Sequence, residues 1–154
     1  MKGKPEVIEV LAKMLKEELG AISQYFIHAE MCENWGYKKL SEHTKKESIN
    51  EMTHAEKLIE RILFLEGTPN LNDMPKLAVG KDVKSQFRND LALEKNAVAE
   101  YNAAIAAARK AGDNASADLL EAILADEEEH VDFLEEQLGL IESIGIQNYL
   151  ARQV

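Results

Sequence analysis

Four long stretches of the sequence repeat apolar residues at the spacing of an amphipathic α-helix, and each ends near glycine or proline. The pattern predicts helices over residues 5–35, 38–66, 82–111 and 115–144, with one or two further turns in the tail IQNYLARQV. The chain is rich in alanine, glutamate, lysine and leucine, which favour helices over strands. We therefore expect an all-α fold in a single domain that spans residues 1–154.

The connections between the predicted helices differ in length. Short connections join the first helix to the second and the third to the fourth, so each pair should form an antiparallel hairpin. The link between the pairs, GTPNLNDMPKLAVGK, has 15 residues. Extended, it would reach about 50 Å, which exceeds the length of about 42 Å of a helix of about 28 residues. One long crossover in a four-helix bundle, followed here by a short C-terminal fifth helix, is the ferritin-like arrangement.

A glutamate interrupts the apolar stripe near the middle of every predicted helix. Two of the four glutamates are followed three residues later by a histidine. The three such residues in the first half of the chain map onto the three in the second half when their numbers are shifted by 76. Two hairpins related by a pseudo-two-fold axis would bring all six side chains to one height. The set consists of Glu18, Glu51, His54, Glu94, Glu127 and His130.

Four glutamates in a dry core need compensating cations, because an unpaired buried charge costs several kcal/mol. Two divalent metal ions would neutralise four carboxylates and leave both imidazoles neutral, as metal ligation requires. Oxygen-rich ligation with one nitrogen per metal favours iron or manganese over a structural zinc site. A glutamate on each of two helices, with Glu-x-x-His on each of the other two, is the di-iron carboxylate pattern.

The charge balance restricts the partners that the chain can have. The formal net charge is −10 and no Lys/Arg cluster stands out, so we expect cations and not nucleic acid as ligands. The single cysteine, Cys32, excludes an internal disulfide and fits a reducing compartment. No apolar run approaches the roughly 18 residues of a membrane span, and the start MKGKPEVIEV lacks a signal-peptide core. We expect a soluble, cytoplasmic protein.

The chain resembles the bacterioferritins over its whole length. The resemblance is carried by the MKG start, ISQYFIHAEMCENWGYKKL, ESINEMTHAEKLIERILFLEGTPNL, DLALE, DEEEHVDFLEEQL and IQNYL. It implies a ferroxidase that oxidises Fe²⁺ with O₂ or H₂O₂ and stores a ferric mineral in a hollow 24-subunit cage. Such a cage is built from two-fold dimers, of this chain alone or mixed with a second subunit type, and a small ferredoxin would supply electrons for iron release.

The same resemblance assigns roles to the predicted ligands. Glu18 and His54 would hold one iron, Glu94 and His130 would hold the other, and two glutamates would bridge the pair. The bridging glutamates would be Glu51 and Glu127.

Met52 is predicted to ligate haem b (iron protoporphyrin IX) across a dimer interface. It follows Glu51 on the helix and so points about 100° away from the metal seam. An additional apolar strip, typical of a dimer interface, runs beside it through Leu19, Ile22, Phe26 and Ile49. In the family, two such methionines ligate the haem iron, and a thioether suits that role. The alternative is a methionine that only packs in the dimer seam.

Other residues near these motifs have two interpretations. Tyr25, two turns after Glu18, would hydrogen-bond a ligand or act in redox chemistry, or else pack with a satisfied hydroxyl. Asp90 would guide incoming Fe²⁺ or lie in solvent. Lys46 and Asn50 stand where some family members carry the His and Asp of an inner-surface iron site, which puts that site in doubt. Packing roles are expected for Cys32 and Trp35.

Three other functions compete with a storage cage. A stand-alone di-iron oxidase or peroxidase would share the metal site but form no shell. A DNA-protecting module of the Dps type would place its iron site between subunits, so it would not need six ligands in one chain. A helical scaffold without metal would become more stable when a buried glutamate or histidine is removed.

Overall fold

Five helices make up the secondary structure of residues 1–69 and 72–154, the part of the chain that the computed structural model describes. They are α1 (Pro5–Asn34), α2 (Lys38–Phe64), α3 (Val83–Lys110), α4 (Asn114–Ile144) and α5 (Ile146–Ala151). The predicted all-α fold is confirmed, and the predicted ends of the four long helices lie within two residues of the observed ends. Positions 70 and 71 of the predicted crossover lie outside the described residues. No helix in the described part of the chain is long and apolar enough to span a membrane.

Local sequence signals fix where two of the helices begin. The Asp82 side chain accepts a hydrogen bond from the Ser85 amide (2.7 Å), and the Ser85 hydroxyl accepts one from the Asp82 amide (3.1 Å), which forms a capping box at α3. Asp113 caps α4 by accepting from the Ser116 amide (3.0 Å). Arg61, near the end of α2, donates to both Asp113 and Ser116 at 2.9 Å. This contact fixes the height of α4 relative to α2.

The helices pack as two hairpins. Helix α1 packs mainly against α2, helix α3 against α4, and α1 also contacts α3. The apolar core is divided into two clusters, one toward each end of the bundle. The first cluster includes Leu11, Leu58, Ala104 and Leu120, and the second includes Cys32, Leu40, Phe87 and Leu134, with Trp35 packed against it. The predicted metal ligands occupy the helical turns between the two clusters.

The crossover between α2 and α3 is attached to α1 by buried polar side chains. Gln24 accepts a hydrogen bond from the Ala78 amide (3.1 Å), and His28 Nε2 accepts one from the Gly80 amide (2.9 Å). Buried backbone amides need such partners. These contacts hold the end of the crossover along α1 and so place the start of α3 beside it.

Candidate metal centre

The structure brings the six predicted ligands together in the middle of the bundle. Each of the six side chains belongs to a residue that is at most 8% exposed. Their donor atoms form two groups, and within each group all of the atoms lie within 4.8 Å of one another. The first group is Glu18, Glu51, His54 and Glu127, and the second is Glu51, Glu94, Glu127 and His130.

Glu51 and Glu127 belong to both groups because each carboxylate has one oxygen near His54 and the other near His130. Glu51 Oε2 lies 3.1 Å from His54 Nδ1, and its Oε1 lies 3.1 Å from His130 Nδ1. Glu127 Oε1 lies 3.0 Å from His54 Nδ1, and its Oε2 lies 3.2 Å from His130 Nδ1. Two ligands at about 2.1 Å from one metal, at right angles, are themselves about 3 Å apart. The positions of these four oxygens would therefore suit two carboxylates that are shared between two metal ions.

Glu18 and Glu94 each face one histidine. Glu18 Oε1 lies 3.6 Å from His54 Nδ1, and Glu94 Oε1 lies 3.3 Å from His130 Nδ1. Each Nδ1 atom is thus surrounded by oxygens from three different carboxylates. This arrangement supplies one nitrogen and three carboxylates to each of two adjacent positions.

The site has too few hydrogen-bond donors for its acceptors. A single Nδ1–H cannot satisfy three surrounding carboxylates, and three buried oxygens are without a hydrogen bond: Glu51 Oε1, Glu94 Oε2 and Glu127 Oε2. Buried polar atoms of this kind are costly unless a ligand or ion pairs with them. Divalent cations fit the shortage because they coordinate several oxygens at once and bring no further acceptor.

The protonation of the site without metal follows from burial and from the short contacts. Burial raises the pKa of Glu18 and Glu94 well above the usual range. Burial disfavours the charged imidazoles, but hydrogen bonds to the carboxylates outweigh it and raise the pKa of both His54 and His130. Burial also opposes ionisation of Glu127, yet its close contacts with the imidazoles of His54 and His130 hold its pKa below the usual value. Protons therefore occupy the centre when metal does not.

Polar side chains behind the imidazoles orient both rings. Asp126 Oδ2 lies 2.9 Å from His54 Nε2, and Glu47 Oε2 lies 2.6 Å from His130 Nε2. The Asn50 amide also lies 2.9 Å from His130 Nε2. Such outer contacts direct the other ring nitrogen, Nδ1, toward the metal position. Sequence reasoning did not identify Asp126, although it stands 76 residues after Asn50 and four residues before a histidine.

Two buried tyrosines hydrogen-bond the carboxylates that face only one histidine. The Tyr25 hydroxyl donates to Glu94 Oε1, and the Tyr101 hydroxyl donates to Glu18 Oε1. Burial raises the pKa of both hydroxyls well above the usual range, and the nearby carboxylates add to the shift. The hydrogen bond of Tyr25 is compatible with both of its interpretations, a contact to a ligand and packing with a satisfied hydroxyl. Tyr101 was not singled out as a site residue, although the 76-residue shift maps Tyr25 onto it.

Asp90 is not the solvated acid that was one of its two interpretations, and it lines a cavity beside His130. It is 3% exposed, so it is not a solvated acid, and its carboxylate is bound by other side chains. Gln24 Nε2 donates to Asp90 Oδ1 (2.8 Å), and His28 Nδ1 lies 2.9 Å from the same oxygen. Because His28 also anchors the crossover, Asp90 belongs to a structural network. The periodicity of α3 placed Asp90 inside the bundle, but it could not show the partners on α1.

The surface near Met52 differs in part from the predicted strip. Met52, Phe26 and Ile49 are more than half exposed, at 53%, 51% and 56%. Leu19 and Ile22 instead pack partly buried against the first core cluster. The exposed apolar surface is thus the smaller patch of Phe26, Ile49 and Met52. This patch still provides a thioether among apolar side chains, the chemistry that a haem face requires.

A cavity of about 260 Å³ opens beside His130. Its lining includes Glu47, Asn50, His43 and Phe133, and the His43 ring stacks on the Phe133 ring at 3.9 Å. Lys46 is exposed on α2. The cavity gives the site a route to the surface on the side of His130.

Comparisons with known proteins agree with the fold. The family described as a ferritin-like domain matches residues 8–144, a range that includes all six predicted ligands. A bacterioferritin of Mycobacterium leprae is 46% identical over 154 residues, which cover all of this chain and 97% of the relative. A bacterioferritin of Mycolicibacterium paratuberculosis is 44% identical with the same coverage. The chain belongs to the bacterioferritin family.

A third relative extends the match beyond the mycobacterial bacterioferritins. The protein named bacterial ferritin of Synechocystis is 48% identical over 155 residues, which cover all of this chain and 99% of the relative. The match between bacterioferritins and this chain is thus not confined to the residues of the metal centre. It includes the crossover and the C-terminal helix.

Metal binding to this centre should release protons. At pH 7 both histidines hold protons because their pKa values are raised, whereas ligation requires the neutral imidazole and ionised carboxylates. We expect Co²⁺ to bind more weakly as the pH falls, by about tenfold per pH unit for each proton displaced. Calorimetric titrations in buffers of different ionisation enthalpy measure the release directly. A binding heat that is independent of the buffer would contradict this account of the site, and a His54→Ala, His130→Ala variant provides the control.

Proposed function

We propose that this chain stores iron and acts as a ferroxidase, which oxidises Fe²⁺ at the six-residue centre before the iron is mineralised. The observation that carries the proposal is the orientation of Glu51 and Glu127, each with one oxygen toward each histidine. This orientation fits two metal ions that share two carboxylates. The three oxygens without hydrogen bonds support the same conclusion, because they need a cation to pair with.

Fe²⁺ is the substrate in this proposal. Two Fe²⁺ ions supply two electrons, and O₂ with two protons accepts them to give H₂O₂; H₂O₂ with two further protons and two electrons gives water. Carboxylates favour the product Fe³⁺ over Fe²⁺ because they stabilise the higher charge, most strongly in a site of low dielectric constant. The residues of the chain hold the two ions side by side, exclude bulk water and release protons when the ions bind.

The chain's own groups have distinct roles in this function. Glu18 and Glu94 would each serve one ion, and Glu51 and Glu127 would serve both. Tyr25 donates to Glu94 and therefore orients that carboxylate, and its ring meets His130 edge-on, with the ring centroids 6.5 Å apart. We also assign Tyr25 as the candidate redox residue of the site.

We further propose that the chain assembles as two-fold dimers within a 24-subunit cage in the cytoplasm. The exposed patch of Phe26, Ile49 and Met52 supports a dimer interface, because exposed apolar surface of this kind is usually covered by a partner. Met52 would hold haem b between two subunits through its thioether sulfur. The haem would supply one-electron redox chemistry, with electrons from a ferredoxin, for the release of stored iron.

Removing a carboxylate that serves one ion should slow iron oxidation. We expect Glu18→Ala and Glu94→Ala each to slow the rapid phase of Fe²⁺ oxidation by more than about tenfold, because each variant loses a ligand. Stopped-flow absorbance after anaerobic Fe²⁺ is mixed with O₂ measures this phase. The exposed Glu9 on α1 is a matched control, and Glu9→Ala should behave like the unmodified chain. Unchanged oxidation in both site variants would contradict the assignment.

Replacing the proposed haem ligand should separate haem binding from iron oxidation. We expect Met52→Leu to lose the haem absorbance band, because leucine has the size of methionine but no sulfur to ligate iron. The rate of Fe²⁺ oxidation should stay the same. Met31→Leu, which removes a half-buried methionine from α1, is the matched control and should keep the haem. Haem retained in the Met52→Leu protein would refute the assignment of Met52 as axial ligand.

A further inference from the structure

Tyr101 is the one buried hydroxyl that contacts Glu18 in the described part of the chain. It lies on α3, is 0% exposed, and donates its hydrogen bond to Glu18 Oε1 on α1. Its ring belongs to the first apolar core cluster, so packing holds the hydroxyl in place. Tyr101 follows Glu94 by seven residues, or two helical turns, as Tyr25 follows Glu18. Each tyrosine therefore reaches across to the glutamate of the neighbouring helix.

The two glutamates depend on their tyrosines to different degrees. Glu94 Oε1 lies 3.3 Å from His130 Nδ1 with the geometry of a hydrogen bond. Glu18 Oε1 lies 3.6 Å from His54 Nδ1, the longest of the six nitrogen–oxygen separations in the centre. The hydrogen bond from Tyr101 consequently restrains Glu18 more closely than the contact with His54 does. When a metal ion holds Glu18 in its ionised form, this hydrogen bond becomes charge-assisted, and such bonds are about twice as strong as those between neutral groups.

We propose that Tyr101 is a positioning residue for Glu18 and that it sets the affinity of the metal position formed by Glu18 and His54. The inference rests on the proposed function, because it assigns Glu18 as a metal ligand. Tyr101 holds the Glu18 carboxylate at the first position, while Tyr25 holds the Glu94 carboxylate at the second. The chain thereby controls its two metal positions through separate residues.

Co²⁺ titration of the full-length chain tests the proposal, because this ion has visible absorption bands that report its ligands. We expect Tyr101→Phe to weaken one of two Co²⁺ binding steps by about tenfold or more, the range typical for residues that orient metal ligands. The other step should keep its affinity and its spectrum. Tyr149→Phe is the matched control, since it removes a buried tyrosine hydroxyl that donates to Gln137 (2.7 Å) outside the centre. Both binding steps should be unchanged in that control.

A double-mutant cycle shows whether Tyr101 acts through Glu18. The effect of Tyr101→Phe should disappear in a Glu18→Ala background and persist in a Glu94→Ala background. Thermal unfolding of each metal-free protein confirms that the variants are folded. A general packing role predicts a lower melting temperature with no selective loss of one binding step.

The outcomes separate this inference from the proposed function. If the unmodified chain binds Co²⁺ in two steps and Tyr101→Phe leaves the affinity of both steps unchanged, the inference alone is overturned. So would a weakening that persists in the Glu18→Ala background. An unmodified chain that binds no Co²⁺ would overturn the proposed function and this inference with it.

Discussion

Burial of four carboxylates in the middle of a helical bundle is the constraint on which the rest of the structure depends. An unpaired buried ion costs several kcal/mol, and a whole domain is stable by only about 5–15 kcal/mol. The bundle therefore needs protons or metal ions among Glu18, Glu51, Glu94 and Glu127. Apolar clusters on either side keep water out, which makes the site both costly when empty and strongly attractive to divalent cations.

The remaining parts of the fold serve to keep the four helices at one height. The capping residues at α3 and α4 fix where these helices begin, and Arg61 joins the end of α2 to the start of α4. His28 and Gln24 hold the crossover against α1. A change of one helical turn, about 5.4 Å, in any of the four helices would separate the carboxylates from the histidines that face them.

The two proposed metal positions are similar in their candidate ligands but different in their surroundings. His54 is backed by Asp126, whereas His130 is backed by Glu47 and by the neutral amide of Asn50. The His130 side also borders the cavity of about 260 Å³. The pseudo-two-fold relation of the hairpins thus applies to the ligands and to the two tyrosines but not to the access routes.

Periodicity and spacing predicted the four helices and the six residues that meet at the centre. A polar residue that interrupts an apolar stripe must face the core, so each glutamate could be placed from its own helix alone. The contacts of Tyr101, Asp126 and Asp90 could not be predicted in this way, because they depend on how each helix is rotated against its neighbour. Leu19 and Ile22 show the same limit, since only the packing decides whether an apolar residue near the edge of a stripe is covered.

Anomalous diffraction at the iron absorption edge tests the central claim most directly. Crystals of metal-free protein would be soaked anaerobically in Fe²⁺ and compared with unsoaked crystals. The account predicts two iron peaks per chain, one near each histidine Nδ1, with Glu51 and Glu127 touching both. The absence of iron density, with the glutamates still bonded to the histidines or turned toward solvent, would contradict it.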